Sequence, residues 1–279
     1  MSMRACVACL VLVLLTSACN QYGRFVNNDD QTFTTLSPTS VVVLYSPDAS
    51  GELAPELCPG IHPSPIGLVP QRYLLPPVIQ ALADTGGDLL VYADCSLARG
   101  QRNAAAFELV RPKPCFARGA EATTGYVELK ACRRYTDLQR LVEEVKRNLP
   151  RDRIFVAGSG VGGWAALLAA RDPFRVFNAA IVIDPAITGP DVPRNDTWDG
   201  AAKRHLDWLA SGASIPALVM ADPGATPESD ALKNLTATAP DFHIVPTADP
   251  AAEARAIRAY IDCRLQNPTN PCSGTAGTS

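Results

Sequence analysis

The sequence predicts an α/β fold: a mainly parallel β-sheet with helices on both faces. Three observations predict it. Short apolar runs without strict polar alternation recur along the chain (VVVLY at 41–45, RIFVA at 153–157, AAIVI at 179–183, ALVMA at 217–221), as strands covered on both faces require. Stretches of helical periodicity lie between them. Strands alternating with helices mean βαβ units, and these build parallel sheets. The 279 residues, 47% hydrophobic and 19% charged, suffice for one large domain with a buried core.

Each element has its own justification in the sequence. Residues 41–45 form an uninterrupted apolar strand. A Pro/Gly-rich stretch follows at 46–77 and reads as an irregular loop; it contains Cys58. Residues 78–84 suggest a short helix stopped by Gly86 and Gly87, and 88–93 (DLLVYA) a second strand. Residues 99–132, with Pro112, Pro114 and two cysteines, read as an insertion. Residues 135–149 are an amphipathic helix. Leu138, Leu141, Val142, Val145 and Leu149 share one face, acidic and basic residues the other, and Pro150 ends it. After the strand at 153–157 comes a tight glycine turn at 158–163, then an Ala/Leu helix at 164–171 that stops before Pro173. The strands at 179–183 and 217–221 bracket a polar loop and a helix around 201–209. Residues 230–237 look helical, 242–245 form a short last strand, and 250–264 a closing helix. The tail from 266 is polar.

The N-terminus reads as a targeting segment, outside the fold. One positive charge at Arg4 precedes an apolar run at 5–15, too short for a bilayer core, which takes about 20 residues. Thr16, Ser17 and Ala18 then lead directly into Cys19. This resembles a bacterial lipoprotein signal, with Thr16 where leucine is commonest. The resemblance implies cleavage after residue 18, lipidation of Cys19, and, from Asn20 in place of an aspartate, an outer-membrane address. Residues 20–40 are polar and aperiodic, and read as a tether. The domain expected beyond it spans 41–265, with a loose tail at 266–279.

The cysteines agree with export. Cys58, Cys95, Cys115, Cys132, Cys263 and Cys272 remain in the mature chain, and an even number in an exported protein reads as disulfides. Cys263–Cys272 and Cys115–Cys132 each close a short loop and are the expected pairs. No C-x-x-C occurs in the mature chain and its histidines are scattered, so no metal site and no cofactor is expected. A net charge of −3 without clustered Lys or Arg excludes a basic footprint for nucleic acid.

The turn at 158–163, GSGVGG, carries the functional argument. Between a strand and a helix it resembles the nucleophile elbow of the α/β-hydrolases, G-x-S-x-G, in which a strained turn lifts a serine above the sheet. Gly158 and Gly162 match the two small positions. The resemblance implies that Val161 offers its N–H to the oxyanion hole and that Ser46, after the first strand, edges that pocket. The nucleophile position holds Gly160, which has no hydroxyl. Ser159 is the alternative nucleophile, one residue out of frame. The string Gly158-x-Gly160-x-x-Gly163 also satisfies a dinucleotide fingerprint, with Asp184 as its acid, but such turns usually follow the first strand of a domain.

The family's chain order puts the acid and then the histidine after the elbow. Asp222, ending the 217–221 strand, stands near the acid position, and Asp184 is the alternate; either also suits a loop cap. Among His62, His205 and His243, chain order selects His243. Yet His243 begins the last strand, whereas the family's histidine lies in the loop after it, and residues 247–250 (TADP) contain none. A four-residue strand spans about 13 Å. Two parts thus depart from the pattern, and the sequence-based expectation is a lipid-anchored envelope protein with a non-catalytic hydrolase-like domain, binding a small molecule or an envelope partner. Its alternatives are a serine esterase using Ser159 and a structural or assembly lipoprotein.

Overall fold

A computed structural model describes residues 36–48, 76–93, most of 134–187, scattered positions from 203 to 232, most of 242–268, and Cys272. Cys19, the signal segment, most of the tether, Cys58, Cys95, Cys115, Cys132, His62 and His205 lie outside the described residues, as do the insertions expected to carry disulfides.

In chain order the elements are β1 (Val41–Ser46), α1 (Pro77–Asp84), β2 (Leu89–Ala93), β3 (Ile154–Ser159), α2 (Gly160–Ala170), β4 (Ala180–Ile183), β5 (Ala217–Met220), β6 (Phe242–Val245) and α3 (Pro250–Gln266). The described strands form one sheet in the order β2-β1-β3-β4-β5-β6. Every pairing among them is parallel. The mainly parallel α/β sheet with helices on both faces read from the sequence is therefore the fold, with a tight strand–turn–helix junction at β3–α2.

Strand alternation sorts the core into two layers. Val42, Leu44, Ile154, Val156, Val182 and Val219 face α2 and the helical residues between 134 and 145. All five apolar positions assigned from sequence to that amphipathic helix are buried there. Val41, Val43, Tyr45, Phe155, Ala157, Ile181 and Leu218 face α1 and α3. Apolar side chains on both faces explain why these strands read as continuous hydrophobic runs.

The closing helix is capped as helix physics prefers. The Asp249 carboxylate accepts from the N–H groups of Ala251 and Ala252 at 3.1 and 3.0 Å, and Pro250 opens the first turn. At its far end Cys263 is bonded to Cys272, with Cα atoms 5.9 Å apart, one of the two pairs expected from loop length.

The glycine turn is shorter than its sequence suggests. β3 runs through Ser159 and α2 begins at Gly160, so the reversal occupies one residue instead of 158–163. Gly160 makes this possible with φ +50°. Gly162 lies within the helix, and a Cβ there would come 2.0 Å from the Ser46 carbonyl oxygen. The helix can meet β1 at that distance only with no side chain between them.

Candidate functional site

From β1, next to one edge of the sheet, the chain steps outward to β2, then returns past β1 to β3 and proceeds the other way. The direction reverses between β1 and β3. Such a topological switch point is where open α/β sheets generally bind ligands, outside the carboxyl ends of the strands. Two segments meet at this point: residues 47–48 after β1 and the Gly160 turn after β3.

At the turn, the Val161 N–H donates to Asp48 Oδ1 at 2.7 Å. A side chain at position 160 would have its Cβ 2.0 Å from the same oxygen. The Asp48 carboxylate therefore occupies the space of an elbow side chain and holds the amide that the resemblance assigns to the oxyanion hole. The position is electrostatically sound, because a helix N-terminus attracts a carboxylate. The Arg134 guanidinium, buried at 5% exposure, donates to the carbonyl oxygens of Pro47 and Asp48 and secures the backbone on either side. The dinucleotide alternative finds that helix terminus engaged by the chain's own carboxylate.

Ser159 faces elsewhere. Strand alternation puts it with Phe155 and Ala157 on the α1/α3 side, where its Oγ shares a hydrogen bond of 2.6 Å with Tyr45 Oη. Tyr45 is wholly buried and Ser159 is 9% exposed. The two hydroxyls engage one another one residue before the turn, and either can be the donor. Ser46, expected at the pocket edge, is fully buried, and its Oγ has no hydrogen-bond partner among the described residues.

The carboxylates gather along the same edge. Asp184 follows β4 with φ +42°, and its N–H donates to the Met220 carbonyl at 2.8 Å. Burial, and next the charge of Asp222, push its pKa up. Asp222 follows β5 and is exposed. Glu253 in the first turn of α3 is buried and accepts from the Ala248 N–H at 2.8 Å. Burial raises its pKa most; the Ala248 bond lowers it, and the charges of Asp184, Asp222 and Asp249 raise it further. Glu253 thus reaches into the loop after β6, the place of the family's histidine. Among the described residues no group of three or more His, Cys, Asp or Glu is arranged to hold a metal ion.

His243 is not brought to this site. It pairs in register with Leu218 on β6, and through Ile181 it stands level with Ala157. Three strand spacings of ~4.8 Å put its backbone about 14 Å from β3. Asp48, Tyr45, Arg134 and Glu253 escaped the sequence reading. Asp48 looks like loop polarity, Tyr45 like strand filling, and no local pattern marks either as a partner of a turn more than a hundred residues away.

No protein-family signature matches the sequence. No curated protein matches it either. Among solved structures, the chain is similar to an acetyl xylan esterase from Paenibacillus sp. R4 (17% identity, TM-score 0.46, covering 81% of this chain and 75% of that one). It is also similar to an S-formylglutathione hydrolase from Staphylococcus aureus (15%, 0.44, 85% and 87%) and to esterase 2 of Thermogutta terrifontis (11%, 0.42, 80% and 76%). At these identities the likeness is one of fold. The expectation of a non-catalytic binding domain is corrected here: the solved structures that share this fold are esterases and serine hydrolases, and they favour the hydrolase alternative of the sequence reading over it.

Proposed function

We propose that the protein is a hydrolase of the esterase class, working at the carboxyl edge of the sheet between β1 and β3, with Ser159 as nucleophile and Tyr45 as its proton partner. The observation that carries this is the 2.6 Å hydrogen bond between the two hydroxyls beside the α2 N-terminus. Ser159 Oγ attacks the acyl carbon while its proton leaves through the Tyr45 phenol to the departing alkoxide. An acyl-serine and an alcohol result, and water then releases the acid. Asp222 and Asp184, at the ends of β5 and β4, make this edge acidic and favour neutral or cationic esters over anionic ones.

The test uses a fluorophosphonate probe and a short-chain activated ester on the purified chain, on Ser159→Ala and on Tyr45→Phe. The wild type is expected to be labelled and to turn over ester. Ser159→Ala loses both, and Tyr45→Phe slows turnover by about 10²-fold or more, as removal of a proton-transfer partner does. An unlabelled wild type, or labelling that persists in Ser159→Ala, sinks the assignment. We further propose that the enzyme is held at the bacterial envelope by a lipid on Cys19, on the strength of the residue pattern at 4–19.

A further inference from the structure

The amide that an esterase needs for its oxyanion is already taken. Val161 N–H, at the start of α2, points at Asp48 Oδ1 2.7 Å away, and the carboxylate fills the volume above Gly160. An acyl or phosphonyl oxygen and this carboxylate oxygen are both anionic acceptors, and one N–H cannot serve both at full strength. Nor does Asp48 rest there loosely: Arg134 donates to its own carbonyl and to that of Pro47. The glycine at 160 belongs to the same arrangement, because any side chain there would collide with the carboxylate.

We propose that Asp48 is an internal stopper of the oxyanion site: the form described here is latent, and substrate oxygen reaches Val161 N–H only when the Asp48 side chain withdraws. The inference rests on the hydrolase reading and adds its regulation. Asp48 is a positioning residue in this account, since it acts by occupying the amide and makes no bond to the reacting atoms. Arg134 is the latch, holding the backbone from which the carboxylate is presented. No covalent step beyond the acyl transfer is required.

The experiment measures fluorophosphonate labelling rates of the full chain for wild type, Asp48→Ala, Asp48→Asn, Ser159→Ala and the double variant Asp48→Ala/Ser159→Ala. Removing the stopper is expected to raise the rate about ten- to a hundredfold, the equivalent of losing one competing charge-assisted hydrogen bond. Asp48→Asn, which keeps an acceptor but no charge, falls between. The Val161 amide resonance, read by ¹H–¹⁵N correlation, is expected to move upfield in Asp48→Ala and to stay in place in Ser159→Ala, and this reports the contact without any turnover. Equal rates in wild type and Asp48→Ala, with Ser159→Ala silent, overturn the stopper and leave the hydrolase standing. A rate that rises in Asp48→Ala and persists in the double variant keeps the stopper and removes Ser159 as nucleophile. An unmoved Val161 resonance in Asp48→Ala, or no labelling in any variant, overturns the stopper.

Discussion

Gly160 and Gly162 are two residues apart, and enlarging them meets different obstacles. At Gly160 the backbone sits at φ +50°, which costs an L-residue about 1–2 kcal/mol. Its new Cβ would meet the end of the Asp48 side chain, which can swing aside. At Gly162 the Cβ would meet the Ser46 carbonyl oxygen at 2.0 Å, and no rotamer change moves a backbone carbonyl held in β1. Gly160→Ala is therefore expected to lose about 2 kcal/mol, and less in an Asp48→Ala background, where only the backbone strain remains. Gly162→Ala is expected to lose more than about 3 kcal/mol, at or beyond the usual range for overpacking. Denaturant midpoints of the three variants decide this; a Gly162→Ala milder than Gly160→Ala would contradict the packing described. Small residues at 158 and 162 were legible because an elbow demands them in a local pattern. Asp48 was not, because its partner lies 113 residues away and only folding brings them together.

At the scale of elements, the strands were legible wherever both faces are covered, since burial on both sides leaves an apolar run with no polar interruption. The β3–α2 junction was misjudged by the same logic that found it. A string of glycines suggests a long turn, yet one positive φ suffices, and Gly158, Gly162 and Gly163 serve the close approach of α2 to β3 and its neighbouring strands. The edge formed by β4, β5 and α3 yields a prediction about pH. Asp184 and Glu253 both have raised pKa values in the folded state, chiefly through burial. Such groups bind their protons more tightly folded than unfolded, so their contribution to stability is present below the ordinary carboxylate value of about 4. It is lost as pH rises through the raised folded values. Glu253→Gln keeps an acceptor for the Ala248 N–H and has no charge to bury. The variant is expected to match the wild type near pH 4 and to exceed its stability at neutral pH, with a flatter profile. Denaturant midpoints at several pH values for the two proteins measure it, and parallel profiles would show that Glu253 carries no such linkage.

For the whole molecule, the class of fold was readable from element order, but the order of strands in the sheet was not. Nothing local to β1 says that it pairs with both β2 and β3, and this pairing creates the switch point where Tyr45, Asp48, Ser159 and Val161 meet. The same topology carries His243 to the far side of the sheet, three strands from β3. How the molecule meets its surroundings depends on the segment before the sheet. Among the described residues no helix is long and apolar enough to cross a membrane. The anchoring proposed for this protein is a lipid on Cys19. Each buried acyl CH₂ contributes about 0.8 kcal/mol, and the several chains of a bacterial lipoprotein make attachment effectively permanent. In bacterial cells, Cys19→Ala is therefore expected to abolish incorporation of labelled palmitate and to move the protein from the membrane fraction to the soluble one. The ester turnover proposed for the purified protein is expected to be unchanged in this variant, because the proposed site draws on Tyr45, Asp48, Ser159 and Val161 and not on Cys19. Palmitate incorporation that survives the substitution, or a wild type that fractionates as soluble, would remove the lipid anchor and leave the hydrolase site to be considered without a membrane beneath it.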